Sequence, residues 1–578
     1  MKKLYIYALA TIFALNLSAQ ELKKEITIDK DIVPELKESN KIDVSPQVPQ
    51  MDIKHTKLKY NDRAKTIEVP GSITTLEPAD NIDTIITSEH RGYAMLGYFP
   101  VYNLDFTGGY KIIDNENTKL NSWLQYNGES YCGESLSGEN MSIYDHSVTV
   151  DVAFAQRIKS KSMLNLDADY TFTHFSTPWL KKDYTQNANE VNFNALWTSS
   201  VGGLKYKALA SYNYFGFTDK YPYDAKQYQN VGSAFDAVNE HNVNLKGFAA
   251  LDIDDYSLVA LDLCFAFTHD NHLLLPSWGG ENGVAWHGFR NNDGYTHSTL
   301  SLTPHYDIVK DDISLRIGAN IEGHFDYDGG IYFSPDVRVD WNATNFISAY
   351  AYFTGGVRQN TMSSIFDVSH YFMPAMAYRN SYLPCVIDAG ANFGPFKDAT
   401  IKVYGGYAFA NDWFMPIFVE GNNHMMNEVD LKGWHLGIEA SYCYKNWGKI
   451  KASYTVAPQQ SYDKGYYLWR DRAKHVVDAS LIVTPIAPLD ITIDYEYRGG
   501  RCSYLQSIKT SELGVVSPKY TRYSLGHVNN LSLGGLYRFT DQLSFFARLE
   551  NLFNHKYDLL YDIPSQGITG LVGATYKF

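Results

Sequence analysis

The chain has 578 residues and a formal net charge of −14, and 15% of its residues are aromatic although its mean hydropathy is −0.29. The length admits several soluble domains or one large barrel, while the acidic balance argues against nucleic-acid binding. Beyond the amino terminus no apolar run reaches the ~20 residues of a helical span, which excludes helical membrane proteins. Many aromatic residues without overall hydrophobicity are typical of an outer-membrane β-barrel.

The amino terminus has the pattern of a secretory signal. Lys2 and Lys3 precede an apolar run from Leu4 to about Leu15, and small residues up to Ala19 follow. We predict a signal peptide over residues 1–19, cleaved after Ala19. A short membrane anchor is the alternative, but the apolar run is shorter than a span of ~20 residues. Removal of the two lysines, each carrying one positive charge, changes the formal net charge from −14 to −16.

Residues 20–90 differ from everything that follows. They open with a charged run, continue through Pro46, Pro49 and Pro70, and contain only short alternating stretches. Such a composition predicts an extended segment rather than a packed domain. At ~70 residues with few glycines, the segment is also too small for a folded four-stranded plug. We therefore place this extended N-terminal segment in the periplasm or inside a barrel lumen.

From Gly92 to Phe578 the chain is a series of alternating apolar and polar runs, joined in pairs by short turn sequences. Counting these runs gives about 22 strands. We predict an all-β fold, a transmembrane antiparallel β-barrel over residues 91–578. In this prediction short turns face the periplasm and longer connections face outward, and the last hairpin pairs Tyr520–Phe539 with Leu543–Phe553.

Leu489–Arg498 shows the two faces of such a strand most clearly. Ile491 and Ile493 lie on one side, whereas Asp490 and Asp494 lie on the other. A soluble β-sandwich alternates in the same way, but here strands of ~10 residues with aromatic ends occur in a secreted chain. We therefore interpret the charged rows as a water-facing lining. The candidate lumen-lining residues are Asp167, Asp169, Arg316, Glu322, Asp336, Arg338, Asp340, Asp490, Asp494, Glu496 and Arg498.

The five cysteines are an odd number and are widely spaced, without a CxxC pair or zinc-ligand spacing. This pattern leaves a disulfide open without assigning its partners, and we predict mostly free thiols and no metal centre. By alternation we expect Cys264 and Cys443 inside strands, whereas Cys132 and Cys502 fall in loops.

Residues 541–578 predict the closing hairpin of the barrel. Leu543, Phe545 and Ala547 alternate with polar residues, and a second alternating run ends on an aromatic carboxyl terminus at Phe578. Ring closure in a lipid bilayer requires a final strand with an apolar, aromatic-ended outer face.

The same stretch resembles the carboxyl terminus of the TonB-dependent receptors of Gram-negative outer membranes. The similarity lies in Glu550, Asn551, Leu552, Phe553, Asn554, Lys556, Tyr557, Pro564, Gly567, Tyr576 and Phe578. The run from Gly573 to Phe578 is also similar to the signal that the barrel-assembly machine reads, although a polar residue is usual where this chain has Leu571. The resemblance implies insertion into the outer membrane by that machine, contact with outer-membrane lipid, and a role in barrel closure and insertion for Asn551, Phe553, Tyr557, Gly573, Tyr576 and Phe578.

The resemblance does not extend to the amino terminus, where the plug domain of that family has no counterpart. Ile26–Pro34 is similar to a TonB-contacting box, but a charged extended linker gives the same letters, so the sequence leaves contact with TonB open. The aromatic-rich composition and the Ser-Ala-Gln end of the signal resemble sequences from Bacteroidota, in which plugless relatives of these receptors occur.

No sequence pattern supports an enzyme or a cofactor. The chain lacks GxSxG in a strand-to-helix context, HExxH and a phosphate-binding loop, and its carboxylate rows suit the lining of a wide barrel. His269 and His272 in a long outer loop are a candidate metal pair, although polar residues at a loop tip normally face solvent. Aromatic residues in outer loops, including Phe366 and Tyr371, have three interpretations: packing over the barrel mouth, contact with a partner, or stacking on sugars.

A ring of about 22 strands encloses a wide lumen that must be closed against leakage. The N-terminal segment, inward-folded outer loops and a separate protein are the candidates for that role. We expect a transport channel or receptor-like barrel in the cell outer membrane, closed by its N-terminal segment or its loops, with a surface lipoprotein as a candidate partner. The alternative is a non-transporting accessory or scaffold barrel of an outer-membrane complex for protein assembly or export.

Overall fold

The computed structural model describes residues 90–100, 102–159, 161–177, 185–218, 221–222, 234–235, 238–271, 295–325, 329–371, 380–419, 423–445, 447–463, 466–468, 473–510 and 516–578. The predicted signal peptide (residues 1–19) lies outside these residues. The predicted extended segment (residues 20–90) also lies outside them, except for His90. Both assignments stay predictions.

The described part of the chain consists mainly of β-strands, which we number in chain order. They are β1 (Gly92–Phe99), β2 (Asn103–Asp114), β3 (Thr118–Glu134), β4 (Asn140–Lys159), β5 (Ser162–Ser176), β6 (Thr185–Val201), β7 (Leu204–Phe217), β8 (Tyr221–Pro222), β9 (Ala234–Phe235), β10 (Asn239–Asp252), β11 (Ser257–Asp270), β12 (Tyr295–Lys310), β13 (Ile313–Phe325), β14 (Gly330–Thr344), β15 (Ile347–Arg358), β16 (Ser381–Phe396), β17 (Ala399–Val419), β18 (Asn423–Tyr444), β19 (Gly448–Val456), β20 (Gln459–Asp463), β21 (Tyr466–Leu468), β22 (His475–Ile486), β23 (Leu489–Gly499), β24 (Cys502–Thr510), β25 (Val516–Ser524), β26 (Val528–Arg538), β27 (Leu543–Glu550), β28 (Asp558–Leu560), β29 (Ile563–Pro564) and β30 (Thr569–Lys577). A seven-residue helix, α1 (Met362–Val368), lies between β15 and β16. Among the described residues, no helix has both the length and the apolar character needed to cross a membrane.

These strands build a closed 22-strand antiparallel barrel. Each wall strand pairs with the next wall strand along the chain, and β8, β9, β20, β21, β24, β25, β28 and β29 belong to the connections. The last strand returns to the first, in the register that places Tyr93 opposite Lys577. The backbone N–H of Gly92 donates to the Phe578 carbonyl over 2.9 Å, and the Phe578 N–H donates back over 2.9 Å. The predicted fold class is confirmed.

Apolar side chains cover one face of the wall, and charged side chains cover the other. On β13, Ile317 and Phe325 are 52% and 60% exposed, whereas Arg316 and Glu322 are 6% and 8% exposed. Successive side chains of a strand point to opposite faces. The exposed apolar face is therefore the outer surface of the ring, and the charged face lines its interior. Lipid outside and water inside favour this arrangement.

The connections at the two ends of the barrel differ in length. Chain direction places both ends of the described barrel and the tight turns, such as Gly202–Gly203, at one end, which we name the short-turn end. Both of these glycines have positive φ (57° and 88°), as a two-residue hairpin turn requires. The connections from β7 to β10, β11 to β12, β15 to β16, β23 to β26 and β27 to β30 lie at the opposite end, which we name the long-connection end. Long connections of such barrels face the outside of the cell.

The last predicted hairpin is wrong in two details. β27 ends at Glu550 rather than at Phe553, because Asn551 takes a positive φ of 50° and turns the chain out of the strand. Tyr520 belongs to β25, which pairs with β24 inside a connection and not with the wall. Alternation alone does not distinguish a wall strand from a hairpin in a loop, since both have a period of two.

All five cysteines are free. Cys264 and Cys443 lie inside β11 and β18, where the alternation places them. Cys132, which the sequence assigns to a loop, lies instead in β3, because β3 and β4 continue to pair at the long-connection end up to Glu134 opposite Asn140. Cys502 lies in β24, a hairpin strand within the connection between β23 and β26.

Gly573 marks a tight point of the closing seam. Its partner across the seam is Gly97, and a Cβ atom added at Gly573 clashes with the backbone oxygen of Leu96 and lies 2.6 Å from the ring of Phe546. We expect Gly573→Val to destabilise the barrel by about 1–3 kcal/mol, the usual cost of overpacking. The midpoint of the heat-induced shift in electrophoretic mobility measures the effect.

Gly535→Val is the matched control for this variant. Gly535 lies in the wall strand β26, and a Cβ atom added there meets nothing within 4 Å. Its midpoint should stay near that of the unmodified chain. Equal losses for the two variants would contradict the role assigned to the seam.

Candidate functional site

The interior face carries the lumen candidates that the sequence predicts. The strand registers place Asp167, Asp169, Arg316, Glu322, Asp336, Arg338, Asp340, Asp490, Asp494, Glu496 and Arg498 on the face opposite to the exposed apolar side chains. The structure distributes them over separate regions of the wall and does not gather them into one site. Their role in lining a transport path stays a prediction.

A chain of ion pairs crosses β12, β13 and β14. Arg316 donates to Asp307 through two hydrogen bonds of 2.9 Å, from Nε to Oδ1 and from Nη2 to Oδ2. Arg316 Nη1 lies 3.6 Å from Asp336 Oδ2, and Arg338 Nε donates to Asp336 Oδ1 over 2.7 Å. Asp340 accepts a hydrogen bond of 2.6 Å from a tyrosine hydroxyl of β15. Bidentate pairs of this kind hold both partners in one geometry, so this part of the wall is rigid.

His305 extends the chain of ion pairs, and sequence reasoning missed it. Its ring nitrogens lie 3.1 Å from Asp262 Oδ2 and 3.0 Å from Asp307 Oδ1, and the residue is 4% exposed. The sequence does contain a pattern that identifies His305 as a wall residue of the inner face. Like Asp307, His305 is a polar residue that alternates with apolar residues along β12. The carboxylate of Asp262 becomes its neighbour only through the pairing of β11 with β12.

A second charged group lies on β22, β23 and β26. Arg498 Nη2 is 2.9 Å from Asp478 Oδ1, and Arg498 Nε is 2.9 Å from Glu496 Oε1. Asp490 pairs with Arg538 at the far end of the same strands. Of the predicted candidates of β23, Asp490 is thus paired with an arginine of an adjacent strand and Glu496 with Arg498 of its own strand.

A more acidic region lies on β4 and β5. Asp169 is directly opposite Asp151 in the register, and Asp167 is on the same face two residues away. Asn192 of β6 donates to Asp169 Oδ1 over 3.1 Å. Like charges that face each other across strands are destabilising by themselves, so this region depends on hydrogen bonds and on water to screen it.

The connection between β15 and β16 folds inward at the long-connection end, and we name its residues 359–371 the strap. The backbone N–H of Met362 in α1 donates to Glu240 Oε2 of β10 over 2.9 Å. Ser363 Oγ donates to Glu190 Oε1 of β6 over 2.7 Å. Neither strand is a neighbour of β15 or β16 in the ring. The strap therefore leaves its own strands and lies against the inner face of a different part of the wall.

Polar contacts also hold the two ends of the strap. Gln359 Nε2 donates to Thr268 Oγ1 of β11 over 2.7 Å. At the other end, His370 Nδ1 lies 2.7 Å from Asp145 Oδ2 of β4. Along its length the strap thus follows the wall from β11 to β4.

Phe366 holds the middle of the strap in an aromatic cluster. Its ring centroid lies 5.4 Å from that of Phe175, 5.0 Å from Phe215 and 6.0 Å from Phe217. These side chains are between 0% and 8% exposed, and His370 stacks on Phe366 with centroids 4.2 Å apart. Aromatic pairs contribute about 0.5–1.5 kcal/mol each beyond the burial of their area. Of the three interpretations of aromatic outer loops, packing over the mouth is the one that Phe366 adopts.

The local sequence of the strap favours its helix. Thr361 is the N-cap of α1, and its Oγ1 accepts a hydrogen bond of 3.1 Å from the Ser364 N–H. In return, the Thr361 N–H donates to Ser364 Oγ over 2.9 Å. This reciprocal capping box satisfies two backbone donors that a helix start leaves free, so the helical turn is well defined although it is short.

Glu240 and Asp270 form a buried carboxyl pair beside the strap. They lie directly opposite each other on β10 and β11 and are 0% and 1% exposed. Asn242 Nδ2 donates to Glu240 Oε1 over 2.5 Å. Two carboxylates buried side by side cannot both be ionised without a large cost, which favours a proton on one of them. Sequence reasoning missed the pair, because alternation at a strand end does not reveal that a distant loop covers it.

The candidate metal pair is only partly within the described residues. His269 Nδ1 lies 2.9 Å from Thr296 Oγ1, and His272 lies outside the part of the chain that the structure describes. Within that part, no group of three or more His, Cys, Asp or Glu residues is arranged to hold a metal ion.

Residues 551–568, which we name the closing loop, begin with an asparagine-stabilised turn. Asn551 Nδ2 donates to the carbonyls of His555 and Gln566 over 3.2 and 3.1 Å, and its Oδ1 accepts from the His555 N–H over 3.0 Å. Asn551 is 4% exposed and has a positive φ of 50°. Asparagine tolerates this backbone conformation better than other residues with side chains of its size. The position that the sequence assigns to barrel closure is thus a turn rather than part of the wall.

The other residues assigned to closure divide between the seam and the closing loop. Gly573 and Tyr576 lie in β30, and Phe578 follows it at the seam with β1. Phe553 and Tyr557 lie in the closing loop, where Phe553 is 53% exposed. The structure therefore brings together at the seam only part of the predicted set.

Asp558 docks the closing loop on the connection that follows β3. The Leu136 N–H donates to Asp558 Oδ1 over 3.0 Å and to Oδ2 over 3.3 Å, and the Tyr523 hydroxyl donates to Oδ2 over 3.2 Å. The residue is 0% exposed. Burial raises the pKa of Asp558 from 3.8 to about 6, against the opposing effect of the hydrogen bonds from Leu136 and Tyr523.

The strap and the closing loop meet in the mouth of the barrel. Leu560 and Ile563 of the closing loop form a buried apolar cluster with Tyr131 of β3 and Ile143 of β4, and Tyr371 of the strap packs against it. The Tyr131 hydroxyl also donates to a closing-loop carbonyl over 3.0 Å. Packing is again the interpretation that applies to Tyr371.

A third connection joins this arrangement. The hairpin of β24 and β25 pairs in parallel with the end of β17, with Phe418 opposite Leu505. Tyr561 of the closing loop stacks on Phe418 with centroids 4.2 Å apart and contacts Tyr523 of β25 with centroids 4.6 Å apart. Inward-folded connections thus narrow the mouth at the long-connection end.

The comparisons with known proteins give a likeness in structure and none in sequence. No protein-family model and no curated protein matches the chain. A variant of the ferric enterobactin receptor of Pseudomonas aeruginosa matches with a TM-score of 0.61 and 11% identity over 84% of this chain and 80% of that one. The FrpB iron transporter of Neisseria meningitidis matches with a TM-score of 0.63 and 12% identity over 85% and 81%. The siderophore receptor PirA of Acinetobacter baumannii matches with a TM-score of 0.61 and 10% identity over 84% and 80%.

We expect the closing loop to be docked more firmly in mild acid. The pKa of Asp558 in the folded chain, about 6, exceeds its ordinary value of 3.8, so its contribution to docking is present at low pH and is lost as the pH rises through about 6. Hydrogen exchange at the Leu136 amide, corrected for the intrinsic rate, should increase across this window by up to ~100-fold, the limit set by a shift of about two pH units.

Asp558→Asn should remove this pH dependence, since its side chain stays neutral. Asp541→Asn is the control, because Asp541 lies in the exposed turn between β26 and β27 at the short-turn end. The control should keep the profile of the unmodified chain. A pH profile of Asp558→Asn that matches the unmodified chain would contradict the assignment.

The resemblance in the carboxyl-terminal residues and the likeness of the whole barrel agree with each other. The neighbours are receptors and transporters, and the closed ring with an apolar outer face suits the outer membrane. At identities of 10–12% the likeness establishes the fold alone. The chain is a closed 22-strand β-barrel whose fold is similar to that of the ferric enterobactin receptor, the FrpB iron transporter and the siderophore receptor PirA.

Proposed function

We propose that the chain is an outer-membrane transport barrel whose outer mouth is closed by the strap and the closing loop. The observation that carries the proposal is the inward course of the strap, which contacts the inner face of the wall at Thr268, Glu240, Glu190 and Asp145. A connection that served only to link β15 to β16 would not need these contacts with a distant part of the ring.

The contacts of the strap are strong enough to keep it docked and weak enough for a binding partner to release it. Burial of an aromatic side chain such as Phe366 contributes about 1.5–3 kcal/mol, and single hydrogen bonds contribute about 1 kcal/mol. The sum of these free energies keeps the strap docked. A ligand or a partner that binds the open form offsets this sum with its own binding free energy. Closure in this proposal is therefore reversible.

The wall beneath the mouth suits polar cargo. It carries carboxylates and arginines in ion pairs, such as Arg316 with Asp307, and an acidic region around Asp169. Charged rings of this kind bind water and polar solutes and repel apolar ones. The neighbours include a ferric enterobactin receptor and an iron transporter, which supports a transport function for this chain as well.

We also propose a surface lipoprotein as a partner at the outer mouth and the N-terminal segment, residues 20–90, as a second closing element.

Release of the strap should open the barrel. Phe366→Ala removes the side chain at the centre of the aromatic cluster, a loss of about 3–5 kcal/mol for a buried phenylalanine. We expect open events in single-channel recordings on planar bilayers to become about 100-fold more frequent than in the unmodified chain. Phe539→Ala is the matched control, because Phe539 is 62% exposed in the turn between β26 and β27 at the short-turn end, and it should not change the recordings.

A truncated chain that lacks residues 20–90 distinguishes closure by the strap from closure by the N-terminal segment. Conductance of this truncation alone would assign closure to the N-terminal segment and remove the strap from that role. If the full chain, Phe366→Ala, the truncation and their combination all stay closed, and the protein co-purifies with a stable partner, the transport function is wrong. The accessory or scaffold barrel of an outer-membrane complex then remains.

A further inference from the structure

We propose that the strap is a proton-controlled latch, docked in mild acid and released as the pH rises. The inference rests on the proposed function, because it assigns the regulation of the mouth that the strap closes. Its basis is the carboxyl pair of Glu240 and Asp270, which is buried beneath α1 at one attachment point of the strap.

The first attachment point depends on a proton between Glu240 and Asp270. The two residues lie directly opposite each other in the register, and Glu240 Oε2 accepts the Met362 N–H of the strap over 2.9 Å. With one proton the pair carries a single negative charge, which the N–H groups of Met362 and Asn242 stabilise. Without it, two carboxylates that are 0% and 1% exposed face each other directly. An uncompensated second charge in such a site is strongly unfavourable, so deprotonation drives the pair apart or opens the site to water.

Nearby carboxylates and a histidine complete this environment. Glu190 of β6 faces Glu240 and accepts from Ser363 Oγ over 2.7 Å. Its charge adds to the repulsion that a second charge on Glu240 meets. His297 of β12, which is 3% exposed, lies opposite Thr268 in the register, on the side of Asp270. Opening the strap admits water to all of these groups at once.

The second attachment point places His370 beside acidic side chains of the wall. Its Nδ1 lies 2.7 Å from Asp145 Oδ2, and Glu129 of β3 is close enough to interact with both groups. Asp367 and Tyr371 lie beside His370 on the strap, and burial raises the pKa of each of them, with the charge of His370 opposing the rise for Asp367. The contact between His370 and Asp145 holds this end of the strap in place. The pH dependence of the latch belongs to the carboxyl pair at the first attachment point.

The ion pair between Arg316 and Asp307 in the wall does not depend on pH in this way. Arg316 stays charged at every relevant pH, and its bidentate pair with Asp307 therefore persists while the strap changes its attachment.

Hydrogen exchange of the full chain in detergent tests the latch directly. After correction for intrinsic rates, we expect the amides of residues 362–368 to exchange at least ~10-fold faster at about pH 8.5 than at about pH 5.5, since each unit of pH change past a pKa is a factor of ten. Glu240→Gln should remove most of this difference. Its carboxamide still accepts the Met362 N–H and donates to Asp270 without a titrating proton.

Further variants keep the test decisive. Asp270→Asn should reproduce the flat profile, and it replaces Glu240→Gln if that variant fails to fold. Glu240→Ala, which has no acceptor for the Met362 N–H, should exchange fast at both pH values. Glu439→Gln is the matched control, because Glu439 lies on the inner face of β18, outside the strands that the strap contacts, and it should keep the unmodified profile.

The outcomes separate the latch from the transport function. Equal exchange at both pH values in the unmodified chain, or an unchanged pH response in both Glu240→Gln and Asp270→Asn, overturns the latch. Conductance of Phe366→Ala recorded in parallel would then still support transport. A pH-dependent strap in a chain that never conducts supports the attachment chemistry described here and overturns transport instead.

Discussion

The closure of the backbone hydrogen-bond ladder between β30 and β1 is the interaction on which the rest of the structure depends. A lipid bilayer offers no partner for a free N–H or C=O group, so a sheet within it has to end on itself. Gly92 and Phe578 complete the ring by exchanging two hydrogen bonds of 2.9 Å, and Gly97 and Gly573 allow the strands to approach there. Once the ring is closed, the period of two assigns every wall side chain to lipid or to the lumen.

A closed ring of this size has no free sheet edge, but it encloses a wide interior. The inner face is neither a packed core nor a uniform aqueous surface. Toward β12–β14 it is held by ion pairs that include Arg316 and the nearly buried His305, while around Asp151 and Asp169 like charges face each other. At the long-connection end the interior is covered by apolar clusters around Phe366 and Ile563. Fixed ion pairs and water-dependent carboxylates thus belong to the wall, and hydrophobic packing belongs to the mouth.

The connections at the mouth are coupled to one another through shared contacts. Tyr371 of the strap packs on the cluster that holds the closing loop, and Tyr561 of the closing loop stacks on Phe418 at the end of β17. Titratable groups lie at the attachment points of both, with Asp558 in one and the Glu240–Asp270 pair in the other. Because buried carboxyl groups change their charge at a large energetic cost, these positions respond to pH more than the arginine pairs do.

The sequence by itself determined the fold class, the approximate number of strands and which side chains face lipid, because alternation and turn residues are local signals that a single strand carries. The alternation of the final strand also pointed to Phe578, and the resemblance to the carboxyl termini of TonB-dependent receptors pointed to Gly573. Only the tertiary structure decided that Asn551 turns the chain, that Glu240 and Asp270 share a site and that the strap covers them. The hydrogen bonds from the strap to Glu240 and Glu190 join residues 122 and 173 positions apart, and a loop obtains such partners only after the ring has closed around it.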